Sequence, residues 1–142
     1  MWHLTPDSLV HKFSNGGPLA YLYKILYIVL MKRIIWLGSS YNDLLDFSKS
    51  VKQMAGYNLD KLQRGQEPKD WKPMSSIGAG VKELRIHCEN EYRVIYLAQN
   101  SDGIYILHAF VKKSQKTSQK DIDLAKKRFK EISSNIGAKS NE

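Results

Sequence analysis

The sequence is poor in the residues that build disulfides, metal sites and membrane spans. Cys88 is the only cysteine among 142 residues, which excludes an internal disulfide and a thiolate metal cluster within one chain. The four histidines show no ligand spacing with acidic residues, so we predict no metal and no cofactor. Residues 19–30 are apolar but include Lys24, and a membrane helix needs about 20 residues. We therefore expect no membrane partner and a cytoplasmic protein.

Positive charge is what the chain has in excess. Lys and Arg total 22 against 14 Asp and Glu, which gives a formal net charge of +8 at pH 7. Most of the excess lies in residues 112–130, where eight basic residues stand against only Asp121 and Asp123. This distribution favours a polyanionic or acidic partner, and a solvated basic helix face is the simpler alternative.

Residues 1–30 differ in character from the rest of the chain. They begin polar, and the positive charges follow their apolar stretch instead of preceding it, which is atypical of a signal peptide. Met31 then opens a segment with the pattern of a domain start. We expect residues 1–30 to be an atypical extension outside the natural product, residues 31–135 to form one domain, and residues 136–142 to be a flexible tail. An intact-mass measurement on the native protein tests the first of these expectations.

Hydrophobic period and turn residues predict an α+β domain. Residues 81–88 alternate in the period of a half-covered strand, which directs Arg85 away from Leu84 and Ile86. The pattern predicts an N-terminal helical hairpin packed on a small antiparallel sheet of about four strands, with a C-terminal helix. The predicted elements are a strand at 32–37, a helix from Ser39 or Ser40 to about Gly56, a second helix ending at Arg64-Gly65, a loop at 66–80, strands at 81–88, 92–97 and 104–111, and a helix from Ser118 or Gln119 to about Ser134.

The predicted strands carry side chains suited to phosphodiester chemistry. Arg85 and Arg93 lie on adjacent strands, and a guanidinium presents a rigid donor fork to phosphate oxygens. His108 is a candidate general acid or base, because histidine changes charge near neutral pH. Each has a structural alternative, in which His108 is a partly buried strand residue and either arginine pairs with Glu83, Glu89 or Glu91. Cys88 is a candidate nucleophile, although a small packed side chain is the simpler interpretation.

A lysine cluster follows the last predicted strand. Phosphodiester cleavage without a metal depends mostly on cations that stabilise the charge developing at the phosphate. These lysines supply either transition-state charge or nucleic-acid binding, and the sequence does not separate the two roles. The candidate catalytic residues are Arg93, Arg85, His108 and Lys113. The candidate nucleic-acid-binding residues are Lys112, Lys116, Lys82 and Lys120.

Several segments resemble a known toxin family. DWKPMSSIGAGVKELRI, EYRVIY and ILHAFVKKSQKTSQKDIDLAKKR are similar to the phage-derived Gp49-like branch of the RelE/ParE/HigB superfamily, and the resemblance extends from Met31 to about Glu131. It implies a RelE-like microbial RNase fold and a type II toxin paired with a helix-turn-helix antitoxin from the adjacent gene. For many relatives it implies cleavage of messenger RNA in the ribosomal A site, with Arg93 at the phosphate-contacting position.

The resemblance leaves several functions open. Relatives often place an arginine after the last strand, where this chain has only lysines, so a bidentate phosphate contact there is in doubt. The sequence offers no clear glutamate as catalytic base. A ParE-like gyrase poison and a non-catalytic basic nucleic-acid-binding module are the main alternatives, and a phage structural protein is a more distant one.

Overall fold

The structure, a computed structural model, describes residues 16–100 and 102–139. Its helices are α1 (Pro18–Leu30), α2 (Ser40–Leu45), α3 (Lys49–Gln63) and α4 (Gln119–Lys139). Its strands are β1 (Ile34–Trp36), β2 (Trp71–Pro73), β3 (Val81–Cys88), β4 (Asn90–Asn100) and β5 (Gly103–Lys112). The predictions made for residues 1–15 and 140–142 lie outside the described residues.

The strands form one mixed sheet in the order β1-β5-β4-β3-β2. The β2–β3, β3–β4 and β4–β5 pairs are antiparallel, and β1 pairs with β5 in parallel. The α+β prediction is confirmed, with five strands instead of about four. The extra strand is β2, which lies within the segment predicted to be a loop; three residues are too few to display a period of two.

The helical hairpin is present, but the predicted break near Gly56 is wrong. Gly56 lies inside α3, and the chain breaks at residues 46–48 instead. Ser48 is the N-cap of α3, where its hydroxyl accepts a hydrogen bond from the Val51 amide at 3.4 Å. The predicted end at Arg64-Gly65 is confirmed, because Gly65 adopts the left-handed conformation with φ of 75°. The last helix runs to Lys139, five residues beyond its predicted end.

Each face of the sheet packs against helices. On the first face, residues of α2 and α3 such as Leu44 and Val51 pack against Leu84, Val94 and Ile106. Cys88 is half-buried against this cluster, as expected for a packed side chain. The second face forms another cluster with α4, which contains Met74, Ile77, Val81, Ile95, Leu97, Leu107, Phe110, Ala125 and Ile132. The sheet therefore lies between α2 and α3 on one side and α4 on the other.

A buried arginine fixes α4 to the sheet. The Arg128 guanidinium donates to the Leu107 carbonyl at 2.7 Å and to the Ser39 hydroxyl at 3.0 Å. Leu107 lies at an irregularity of the β4–β5 ladder, where its carbonyl is available to a side chain. Gly38 lies directly beside this guanidinium, with φ of 52°. A Cβ atom at position 38 would lie 2.6 Å from the Arg128 guanidinium, so this position of Arg128 requires glycine at residue 38.

The C-terminal end of helix α1 and the residues after it contact the end of α3. The Lys32 amide donates to the Gln63 carbonyl at 3.0 Å, and Arg64 donates to the Tyr27 hydroxyl at 3.2 Å. Large apolar side chains of α1, among them Leu19, Val29 and Leu30, remain mostly exposed. In the described part of the chain, no helix combines the length and apolar character required to span a membrane.

Candidate nucleic-acid interface

Strand register brings the predicted arginines together. Arg85 of β3 pairs directly with Arg93 of β4, and Arg93 pairs with Phe110 of β5. Side chains opposite each other on adjacent strands point to the same face of a sheet. The face is the second one, because Phe110 belongs to the core cluster of α4. The two arginines predicted from the sequence therefore lie side by side.

Glu83 lies at the centre of this charged region, and its side chain is fully buried. One carboxylate oxygen, Oε1, is 3.4 Å from Arg93 Nε, 3.6 Å from Arg85 Nε and 3.8 Å from Lys72 Nζ. The other oxygen is 3.5 Å from the Thr117 hydroxyl. A buried carboxylate is costly unless cations compensate it. Glu83 therefore holds three cations on one face of the sheet.

Arg93 and Arg85 differ in their access to solvent. Arg93 is only 4% exposed, and its Nη1 donates to Glu91 Oε2 and to the Tyr92 carbonyl, both at 2.9 Å. Arg85 is half-buried, and its side chain retains about a third of its exposure. The contacts of Arg93 match the structural alternative for that residue. Arg85 also lies beside Glu83 and its Nε is buried, but the rest of its side chain stays partly exposed. Their roles at a phosphate stay predictions.

His108 lies on the same face, under the N-terminus of α4. Its Nε2 is 2.7 Å from Asp121 Oδ1, and its ring stacks on Phe110 with centroids 4.8 Å apart. Nδ1 is buried and makes no hydrogen bond with the described residues. Because the ring is buried and Nε2 is directed at Asp121, a substrate in solvent does not reach either ring nitrogen. This geometry matches the structural alternative, and acid–base catalysis by His108 stays a prediction.

Asp121 connects His108 to the helix cap. The Ser118 hydroxyl donates to Asp121 Oδ2 at 2.5 Å and accepts from the Asp121 amide at 3.2 Å. Ser118 thus caps the first turn of α4 by accepting from the Asp121 amide, and the Asp121 carboxylate holds the Ser118 hydroxyl in place. The Asp121 carboxylate thus contacts both the N-cap residue of α4 and His108 of β5.

The predicted lysine cluster surrounds a cavity at the end of β5. The cavity measures about 310 Å³ and lies between the last residues of β5 and the first turn of α4. Its lining residues are Phe110, Val111, Lys112, Lys113, Ser114, Lys116, Ser118, Lys120 and Asp121. Four of the predicted lysines thus share one concave surface, which is suited to a polyanion.

Lys82 is separated from this cavity. Its ammonium lies 4.2 Å from the centre of the Trp71 ring and 3.2 Å from Glu67 Oε1. It alternates with Glu83 along β3, so its side chain points to the opposite face. The structure therefore groups Lys112, Lys113, Lys116 and Lys120, and leaves Lys82 elsewhere.

A second histidine on this face, His87, was not predicted from the sequence as a site residue. His87 Nε2 is 2.6 Å from Asp70 Oδ2, and His87 Nδ1 is 2.6 Å from Glu91 Oε2. Hydrogen bonds to Asp70 and then to Glu91 raise the pKa of His87 above its ordinary value. The contact with His87, followed by that with Arg93, lowers the pKa of the Glu91 carboxyl. A carboxylate accepts hydrogen bonds only, so the imidazolium form satisfies both contacts.

Glu83 lies near both arginines, as the structural alternative predicted, whereas Asp121 was missed by the sequence analysis. Glu83 shares the period-two register of Arg85, so the alternation of β3 was a signal that both side chains point the same way. Asp121 stands three residues after Ser118, which is the spacing of a capping box. The Asp70–His87 contact joins residues 17 positions apart and has no comparable local signal. Among the described residues, no group of three or more His, Cys, Asp or Glu side chains is arranged to hold a metal ion.

Comparison with known proteins gives one family match. Residues 42–130 match the family described as phage derived protein Gp49-like (DUF891). The match covers α3, all strands except β1, and the first half of α4, and it includes every residue of the charged face described above. No curated protein and no solved structure is significantly similar to the chain.

Proposed function

Because the chain belongs to the phage-derived Gp49-like family, within the RelE/HigB toxin-like group, we propose that it is the toxin of a type II toxin–antitoxin system. It acts in the cytoplasm as a metal-independent endoribonuclease that cleaves messenger RNA on the ribosome and so inhibits translation. The family supports the coarser assignment, a toxin related to toxin–antitoxin systems. The charged face of the sheet supports the finer one.

The cavity bordered by Lys112, Lys113, Lys116 and Lys120 is the observation that carries this proposal. It adjoins the row formed by Arg85, Arg93 and Phe110, because Phe110 lines the cavity and pairs with Arg93. An RNA strand following the lysines would thus bring a phosphate to the partly exposed side chain of Arg85. Binding of the chain through phosphates alone requires no base-specific contact, which suits a nuclease that the ribosome positions.

The chemistry we propose is attack by the 2′-hydroxyl on the adjacent phosphorus. Arg85 and Lys113 stabilise the negative charge that develops on the phosphorane oxygens. Arg93 and Glu83 position Arg85 without touching the RNA, because Glu83 contacts both arginines and holds the guanidinium of Arg85 in this charged cluster. Lys112, Lys116 and Lys120 bind the neighbouring phosphates.

A non-catalytic nucleic-acid-binding module is the second candidate. The observation that favours it is the pairing of Arg93 with two glutamates and of His108 with Asp121, since both side chains are buried. In that case the lysines would supply affinity alone, and RNA would be bound without being cut.

We propose that the partner is a helix-turn-helix antitoxin encoded by the adjacent gene. The net charge of +8 supports an acidic contact surface on that protein, because opposite charges speed the encounter. Co-expression with a tagged product of the neighbouring gene tests this. The chain should be retained with the tagged protein. High salt present while the two proteins associate should reduce the amount retained.

Inducible expression with and without the neighbouring gene tests the proposed function. Induction of the chain alone should stop growth and produce new RNA 5′ ends within translated messages, and co-expression should suppress both. A gyrase poison would instead induce DNA damage while leaving RNA intact. A binding module would produce neither cleavage nor DNA damage, and either outcome would overturn the nuclease proposal.

A further inference from the structure

His87 lies beside the proposed phosphate site without a role in the chemistry described so far. It follows Arg85 by two residues on β3, so both side chains point to the second face and their Cα atoms are about 7 Å apart. Its side chain is 53% exposed, in contrast to the buried ring of His108. An incoming RNA strand can therefore reach His87.

The two ring nitrogens of His87 are held differently. Nδ1 donates to Glu91, and Glu91 is itself held by Arg93 at 2.9 Å. That side belongs to the sheet and fixes the orientation of the ring. Nε2 donates to Asp70, a half-exposed residue that precedes β2. Asp70 thus occupies the position in which an external oxygen would accept the Nε2 proton, so an incoming RNA strand has to displace Asp70 from Nε2 before its 5′-oxygen can take that proton.

The charged groups around His87 belong to three strands and one loop. Asp70 and Glu91 contact the ring directly, and Arg85 precedes it on β3. Glu91 pairs across the sheet with both His87 and Lys112, so His87 and Lys112 are two strand spacings apart, about 10 Å. The two carboxylates favour the charged ring more directly than the cations oppose it, because only they make hydrogen bonds to it.

We propose that His87 is the general acid of the cleavage reaction, with Glu91 as the residue that orients it. This inference rests on the proposed ribonuclease function. The 2′-oxygen bonds to phosphorus, the bond from phosphorus to the 5′-oxygen breaks, and the Nε2 proton passes to that 5′-oxygen. The proton of the 2′-hydroxyl passes to solvent water. The products are a 2′,3′-cyclic phosphate and a 5′-hydroxyl, and neutral His87 regains a proton from water.

The raised pKa of His87 supports this role and predicts a pH dependence. A general acid must carry its proton at the working pH, so cleavage should slow as pH rises through the pKa of His87. The hydrogen bond that His87 donates to Asp70 is the largest cause of the raised pKa of His87. Asp70→Asn should therefore move the alkaline limit of cleavage to lower pH while sparing the reaction at acidic pH.

The test uses ribosomes carrying a message with one scissile linkage, either natural or with sulfur in place of the bridging 5′-oxygen. A thiolate leaves without protonation, so the sulfur linkage does not need a general acid. His87→Gln should slow cleavage of the natural linkage by about 100-fold or more and that of the sulfur linkage by less than about 5-fold. Asn90→Ala, an exposed residue at the turn of the same hairpin, is the matched control and should cut both linkages like the wild type.

The possible failures are distinguishable. If His87→Gln cuts the natural linkage at the wild-type rate, or loses both linkages equally, His87 is not the general acid. An unchanged alkaline limit in Asp70→Asn would count against the role as well. If the wild type leaves both linkages intact, the proposed nuclease function itself fails and the inference falls with it.

Discussion

The two faces of the sheet share the same strands and differ in what covers them. The first face is apolar along β3 and β4, where Leu84, Ile86, Tyr92 and Val94 pack under α2 and α3. The second face is apolar beside α4 and becomes charged towards the β3–β4 turn, with Glu83, Arg85 and His87 on β3. Stability alone explains the first face. The second face keeps buried charge, which is costly, and this points to it as the functional surface.

Removing one charge from the second face should have the largest effect on stability. Glu83→Ala leaves Arg93 buried without one of its carboxylate partners and should cost about 3–5 kcal/mol. Leu84→Ala, the adjacent residue on the first face, should cost about 2–5 kcal/mol through a cavity. Denaturant unfolding measures both values.

A double substitution separates the two mechanisms. Glu83→Leu combined with Arg93→Met removes both buried charges, so it should lose much less stability than Glu83→Ala. If Glu83→Ala unfolds at the wild-type denaturant concentration, the carboxylate does not hold the cations and the contrast between the faces disappears.

Neutralising the cavity should weaken RNA binding more than neutralising the helix on the first face. Combined Lys112→Ala, Lys113→Ala and Lys116→Ala should lower RNA affinity by about 10- to 100-fold at moderate salt. The slope of log affinity against log salt should fall by about 2, since each phosphate contact to a single strand contributes roughly 0.7. The control is the same set of changes at Lys49, Lys52 and Lys61 of α3, which removes equal charge. Equal losses in both variants would mean that net charge, and not the cavity, binds RNA.

A single methyl group should disturb the position of α4 on the second face. Gly38→Ala places a carbon 2.6 Å from the Arg128 guanidinium, at a φ of 52° that suits glycine. The expected loss of stability is about 1–3 kcal/mol, which thermal unfolding would detect. RNA cleavage should fall as well, because α4 carries Lys120 and Asp121 to the cavity. Wild-type stability in this variant would contradict the contact between Gly38 and Arg128.

The smallest expected effect is a pH dependence of stability from His87. Its pKa in the folded protein is raised above 6.5, so its contribution is fully present below about pH 6.5 and is lost as pH rises through the folded value. The contribution should be below about 1 kcal/mol, because the side chain is exposed to solvent. Unfolding curves of wild type and His87→Gln should converge at alkaline pH. A difference that grows as pH rises would reverse the assigned sign.

The sequence was sufficient to predict the longer elements, whose hydrophobic pattern repeats several times, and the lysine cluster. The alternation of Val81–Cys88 predicted β3, and the pairing of Arg85 with Arg93 follows from two adjacent strands. It failed at β2, which is three residues long, and at the helix break, where the Ser48 cap was a stronger signal than Gly56. The parallel pairing of β1 with β5 also escaped prediction, because it joins strands some 70 residues apart.

Sequence patterns identified the cations of the site better than their partners. Lys112, Lys113 and Lys116 are adjacent in the chain, so their shared cavity needed little tertiary information. The carboxylates depend on the fold, since Asp70 reaches His87 only because β2 pairs with the edge of β3. Burial, which distinguishes Arg93 from Arg85, likewise depends on how the layers pack and has no signature in composition.

Mapping RNA 5′ ends in cells that express wild type or Arg85→Ala at equal protein level tests the central claim most directly. The wild type should produce new 5′-hydroxyl ends within translated messages, and Arg85→Ala should lose them while remaining folded. Identical ends and identical growth arrest from both proteins would contradict the claim that the charged second face of the sheet cleaves RNA.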